Sequence, residues 1–178
     1  MKTLHTDRLV IRPMSAVADA AFMLTLLNDA TWLRFIGDRG VRTLEEAQRY
    51  IETGPVDMYA RLGFGFCIVE SKQTGLALGA CGISQRDYLD SPDIGFAFLP
   101  QHAGQGYAFE AAAAVLRYAQ TELGLTTILA TTRLDNLRSQ QLLEKLGLRF
   151  ERLMPHPDGS ERQLMVYGIR APEPDFLS

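Results

Sequence analysis

Residues Ile94–Glu110 constrain the fold more than any other stretch of the chain. A β-rich run, Asp93–Leu99, gives way to Pro100 and a loop containing Gly104 and Gly106. From Tyr107 to about Glu122 the apolar residues Ala108, Phe109, Ala112, Leu116, Ala119 and Leu123 then recur at helical spacing, up to Gly124. Thr127–Thr132 is the next β-rich run, so strand, helix and strand follow in the order of a βαβ unit, whose helix must lie on a sheet face.

The segments on either side fit that frame. Arg8–Arg12 reads as a strand ended by Pro13, and Ser15 as the cap of a helix reaching about Asn28. Thr43 and Glu46 form a capping box, opening a helix with Leu44, Ala47 and Ile51 on one face that Gly54 and Pro55 close. Phe64–Glu70, Ala77–Ser84 and Asp93–Leu99 suggest an antiparallel meander. After Thr127–Thr132 come a helix over Asn136–Leu146, stopped by Gly147, and a strand pair, Leu148–Met154 and Gln163–Ile169. The order β, α, α, β, β, β, α, β, α, β, β predicts an α/β (α+β) protein. One domain is expected over residues 6–170, and 171–178, with two prolines, reads as a tail.

The Gly104–Tyr107 turn carries the main chemical signal. A helix start exposes unpaired N–H groups and partial positive charge, and glycines let a phosphate approach the backbone closely. A Walker A loop is excluded because no Gly-Lys-Ser/Thr follows. A dinucleotide fingerprint begins at Gly104-x-Gly106, but Phe109 stands at the third glycine and Glu122 falls near a helix end. An ordinary tight strand-to-helix turn explains a lone Gly-x-Gly equally well.

The surroundings favour a cofactor loop. Ala103-Gly104-Gln105-Gly106-Tyr107-Ala108 resembles the coenzyme-A loop of the GNAT family of N-acetyltransferases, with alanine where the family has Arg or Gln. A second register, Gln101-x-x-Gly104-x-Gly106, matches literally. The run Gly104–Ala111 is similar to the branch that acetylates ribosomal-protein N-termini. Asn136-x-x-Ser139 through Glu144-Lys145-Leu146-Gly147-Leu148 resembles the family's Asn-x-x-Ser/Ala and Glu-Lys-x-Gly-Phe segment, with Leu148 in place of Phe. Arg8–Pro13 looks like its opening strand.

The resemblance implies the GNAT fold: a twisted, mixed, mostly antiparallel sheet of about seven strands with helices on both faces. It implies acetyl-CoA as cofactor, with Phe96, Ala97 and Phe98 along the pantetheine, Gly104, Gln105, Gly106, Tyr107 and Ala108 around the pyrophosphate, and Asn136 and Ser139 nearby. A backbone N–H near Phe98 would hold the thioester oxygen, in a gap between splayed strands. Leu143 stands where many relatives have a tyrosine acid, so Ser139 becomes the candidate acid, although Asn136 and Ser139 are also ordinary helix caps. Asp93 is the candidate base; Asp87, Tyr88 and Asp90 precede it, and each also fits a solvated turn. Trp32, Phe35 and Tyr88 are candidate substrate contacts, although core packing is the stronger reading for the first two, since aromatic residues normally bury their area.

The expected reaction is transfer of an acetyl group to a primary amine, a protein N-terminus or a small molecule. The alternative is a non-catalytic acyl-CoA-binding module. Composition excludes several other classes. With 18 Lys plus Arg against 21 Asp plus Glu, a net charge of −3 gives no basic excess for nucleic acid. Apolar runs such as Leu76–Ile83 are far too short to span a bilayer. Met1–Thr3 runs into a polar segment that is unlike a signal peptide. Cys67 and Cys81 lack metal-like spacing and read as small buried residues on neighbouring strands. The expectation is a cytoplasmic monomer or homodimer without metal.

Overall fold

Strands rich in Val, Ile, Leu and Cys send alternate residues to opposite sides of one sheet. The computed structural model describes residues 1–171, so the expected tail lies, beyond Ala171, outside the described residues. The strands are β1 (Leu4–His5), β2 (Leu9–Pro13), β3 (Phe66–Ser71), β4 (Ala77–Ser84), β5 (Asp93–Phe98), β6 (Thr127–Arg133), β7 (Arg149–Pro155) and β8 (Gln163–Arg170). The helices are α1 (Ala16–Leu27), α2 (Ala30–Phe35), α3 (Leu44–Ile51), α4 (Asp57–Leu62), α5 (Tyr107–Thr121) and α6 (Leu137–Lys145). The eight strands lie in the order β1-β2-β3-β4-β5-β6-β8-β7, antiparallel throughout except between β5 and β6. The strand beyond the expected seven is β1, whose two residues are too few for a sequence pattern.

Period-2 alternation divides the core. Cys67 and Val69 of β3, Cys81 and Ile83 of β4, and Ile128 and Ala130 of β6 pack under Ala112, Val115 and Ala119 of α5 and Leu143 of α6. Ile68 of β3 and Ala80 of β4 face Met23 and Leu27 of α1, Trp32 of α2, and Ala47 and Ile51 of α3. Cys67 and Cys81 are opposite each other, unbridged and buried, and burial pushes the Cys67 thiol up to about 12. Neither thiol is a nucleophile at neutral pH.

Ser15 caps α1, and Thr43 and Glu46 close the expected capping box on α3. Arg12 ties β2 to α1 through two 2.8 Å bonds to the buried Asp19, and reaches Glu70 of β3 as well. Two local expectations are corrected. Leu44 is exposed, because it is the first helical residue and Ala47 and Ile51 take the buried face. Gly54 and Pro55 do not end the helical path. A π-type turn over Glu52–Val56 has an Asp57 N–H to Glu52 carbonyl bond, absorbs the missing Pro55 N–H, and leads into α4, which stops at Gly63 (φ 78°). The connection Asn28–Arg42 contains α2, capped by Asp29 and too short for helical periodicity to reveal.

Candidate active site

The site begins where the sheet opens. β5 and β6 are paired only at Asp93 and Leu129. On its other edge β5 stays in register with β4 from Ser84–Asp93 to Gly79–Phe98. The Leu99 N–H donates to the Leu78 carbonyl at 3.1 Å, and antiparallel alternation then turns the N–H groups of Phe96 and Phe98 away from β4. They point into the gap left by β6.

One end of this gap meets the start of α5. Gly104 and Gly106 have φ of 75° and 80°, left-handed values that open the turn. No side chain among the described residues caps the helix. The backbone N–H groups from Gly104 to Phe109 find no acceptor among the described residues, whereas the Ala103 and Glu110 N–H groups are bonded. An exposed row of donors at a helix start fits a diphosphate. Of the sequence-expected cofactor residues, Phe96–Phe98 therefore edge the gap and Gly104–Ala108 form the donor row at the start of α5.

A brace holds the loop. Glu110 accepts from the Thr6 hydroxyl (2.6 Å), the Arg8 N–H (2.9 Å) and Arg8 Nε (2.6 Å). Arg8 Nη1 donates to the Gln105 carbonyl at 2.9 Å, and its guanidinium lies 4.6 Å from the Tyr107 ring centre. Burial raises the Glu110 carboxyl, but the Thr6 and Arg8 bonds outweigh it, so Glu110 titrates below the ordinary glutamate value. A depressed folded value means stability present above about pH 4.3 and lost as pH falls through the folded value. Glu110→Gln is expected to lower stability by about 1–2 kcal/mol at pH 7 in urea unfolding, with the deficit closing as the pH is taken below 4.

On the far side of the gap, Asn136 Oδ1 accepts the Ser139 N–H at 3.2 Å as the cap of α6. The Ser139 hydroxyl, half-buried, makes no hydrogen bond among the described residues. Leu143 is fully buried beneath the sheet and has no proton to give.

On the face carrying α1–α4, a cavity of about 300 Å³ opens beside β5. Phe66, Ala80 and Phe96 make its floor, and Met23, Trp32 and Tyr50 its walls, with Arg39 and Arg86 among its polar groups. Trp32 thus combines core burial with a cavity wall, its indole N–H held by the Gly37 carbonyl at 3.1 Å. Phe35 lies under Arg34, and neither Phe35 nor Tyr88 is part of the wall. Asp93 is 2% exposed, and both carboxylate oxygens accept from Arg86 Nε at 2.9 and 3.1 Å. Burial pushes its carboxyl above the ordinary range and Arg86 pulls it partly back. Sequence reasoning passed over Arg8, Arg39, Tyr50 and Arg86. Their partners are distant in the chain or across a turn, and only Arg86, seven residues before Asp93 on a hairpin, carried a usable signal.

A sheet opened between parallel neighbours, a donor row at one end and a cavity beside the central strand make a site with room for a diphosphate-bearing ligand and a second small molecule. The family description "Acetyltransferase (GNAT) domain" matches residues 8–149, and the chain belongs to the GNAT acetyltransferases. It is 29% identical over 175 residues to the uncharacterised N-acetyltransferase YoaA of Bacillus subtilis, covering 95% of this chain and 97% of the relative. The ribosomal-protein-S5-alanine acetyltransferase of Vibrio fischeri superposes with a TM-score of 0.78 at 15% identity, covering 94% and 96% of the two chains. Spermidine N-acetyltransferase of Vibrio cholerae, solved with CoA and spermine, superposes with a TM-score of 0.77 at 18% identity over 93% and 96%. The protein is an acetyltransferase of GNAT type. No described helix is long and apolar enough to cross a membrane.

Proposed function

We propose that the protein transfers the acetyl group of acetyl-CoA to a primary amine, of a small molecule or a polypeptide N-terminus, by direct attack of the amine on the thioester. The observation that carries this reading is the uncapped donor row from Gly104 to Phe109 at the mouth of the gap between β5 and β6. The cofactor supplies an activated acyl group with a thiolate leaving group. The chain's part is to bind, orient and donate. Gly104, Gln105, Gly106, Tyr107 and Ala108 offer N–H groups to the diphosphate, and no lysine is needed.

The Phe96 and Phe98 N–H groups face the gap, where the thioester oxygen accumulates charge during attack. Asn136 keeps the start of α6 in place so that the free Ser139 hydroxyl can donate a proton to the departing sulfur. Asp93 is tied to Arg86, so its role in this reading is to position Arg86 rather than to take the amine's proton. A terminal amine, with pKa near 8, needs little help from a base.

The test is thiol release from acetyl-CoA with a panel of amines, followed by mass measurement of the acylated product. Ser139→Ala is expected to lower kcat by about 100-fold with acetyl-CoA affinity unchanged. Tight acetyl-CoA binding with no transfer to any amine would indicate a non-catalytic binding module instead.

A further inference from the structure

The cavity on the α1–α4 face has a charge character that the cofactor groove does not explain. Among the described residues no Asp or Glu lines it, while two guanidinium groups, Arg39 and Arg86, do. Arg86 enters from the end of β4, and Asp93 engages only its Nε. The Tyr88 phenol is a second hydrogen-bond partner of the guanidinium, and no other described residue bonds the Nη groups. The Arg86 side chain is 28% exposed, so these donors reach the cavity from a fixed, half-buried position. Arg39 comes from the loop between α2 and α3 and has neither a hydrogen bond nor an ion pair among the described residues.

Both guanidinium groups line the same cavity as Tyr50. Burial raises the Tyr50 phenol, and the positive charges of Arg39 and Arg86 each pull it back down. Asp93 offsets Arg86 in part, and Arg39 leaves the wall with a net positive charge. The remaining surface is apolar: Met23, Trp32, Phe66 and Phe96. A volume of about 300 Å³ is at the small end of ligand sites and suits one amino-acid-sized body.

Resting on the transferase reading above, we propose that the acceptor is an amine that also bears a carboxylate beside an apolar or aromatic body, with Arg39 and Arg86 reading the anion. Planar guanidinium forks match carboxylates bidentately, and an uncompensated cation in the wall rejects polycationic amines. A free amino acid, with amine and carboxylate on one small body, is the acceptor class this describes.

Binding and turnover separate the two claims. Calorimetry in the presence of CoA would compare N-acetyl derivatives of leucine, phenylalanine and tyrosine with their C-terminal amides. Thiol release would compare the corresponding free amines, and spermidine, as acceptors. The free acids are expected to bind about tenfold or more tighter than the amides, and spermidine to be the poorest acceptor. Arg39→Gln, which removes no internal bond, is expected to abolish most of the acid-over-amide preference while leaving acetyl-CoA affinity unchanged; Arg86→Gln should do the same where it folds. Equal binding of acids and amides, no binding of any derivative, an unchanged ratio in Arg39→Gln, or spermidine as the best acceptor overturns the inference. Arginine-dependent binding of the acids without transfer to any amine sustains it, while removing the transferase reading.

Discussion

Gly106→Trp is expected to weaken acetyl-CoA binding by at least about 100-fold, measured by calorimetry or by protection against thermal unfolding. Gly106 sits at φ 80° where the donor row turns into α5, and a Cβ there would come within 3.3 Å of Arg8 Nη2. An L-residue in this conformation costs about 1–2 kcal/mol, which lowers stability without unfolding the protein. The larger loss falls on the ligand. An indole at this position covers N–H groups that would otherwise meet the diphosphate, and each charge-assisted bond is worth about 1.5–3 kcal/mol, so two of them give the stated change. Gly124→Ala is the matched control. It imposes a similar backbone strain at φ 67° past the opposite end of the same helix, with nothing within 4 Å of the new Cβ. It should lose comparable stability and no affinity. An unchanged affinity in Gly106→Trp would show that the donor row does not hold the cofactor.

The legibility of the fold and site followed the range of the interactions involved. Thr43 with Glu46, Ser15, and the helix start after Gly106 are local devices, fixed by residues within four positions of one another, and the structure has them where the sequence implied. The alternation in β3 and β4 is likewise local, and it correctly placed Cys67 and Cys81 on neighbouring strands. Short elements escaped, because β1 and α2 are too brief to display a period. The π-type turn escaped because Gly54 and Pro55 usually stop a helix, and only the widened turn makes the proline tolerable. The site itself was half legible. Its expected cofactor residues lie mostly in one continuous segment, whereas the cavity draws on α1, α2, α3, α4, β3, β4, β5, the π-type turn and three loops. Nothing in the sequence pairs Arg8 with Glu110, 102 residues away, or brings Arg39 and Arg86 to the same cavity.

Asp93 shows why residue type alone misdirects. An acidic residue at the start of the cofactor strand invites the role of general base, but its two oxygens are committed to Arg86 in a nearly sealed position. Asp93→Ala is expected to destabilise the protein by about 3 kcal/mol, the low end for breaking a buried pair because Arg86 keeps part of its solvent. For a chain of this size that lowers the melting temperature by about 6–12 °C. The cost arises from a half-buried cation left without its partner. Asp93→Leu combined with Arg86→Met should therefore recover most of the loss, since desolvation has already consumed much of the attraction, as the upward shift of the Asp93 carboxyl indicates. That recovery is measured as a double-mutant coupling in urea unfolding. A third variant, Asp93→Asn, separates the two roles for Asp93. A base would lose kcat in Asp93→Asn together with the acidic limb of the pH–rate profile. A positioning residue would keep that limb and raise KM for carboxylate-bearing acceptors, because Arg86 is no longer held against the cavity. The second pattern is the expected one, and the stable double variant should share its loss of acid preference despite restored folding.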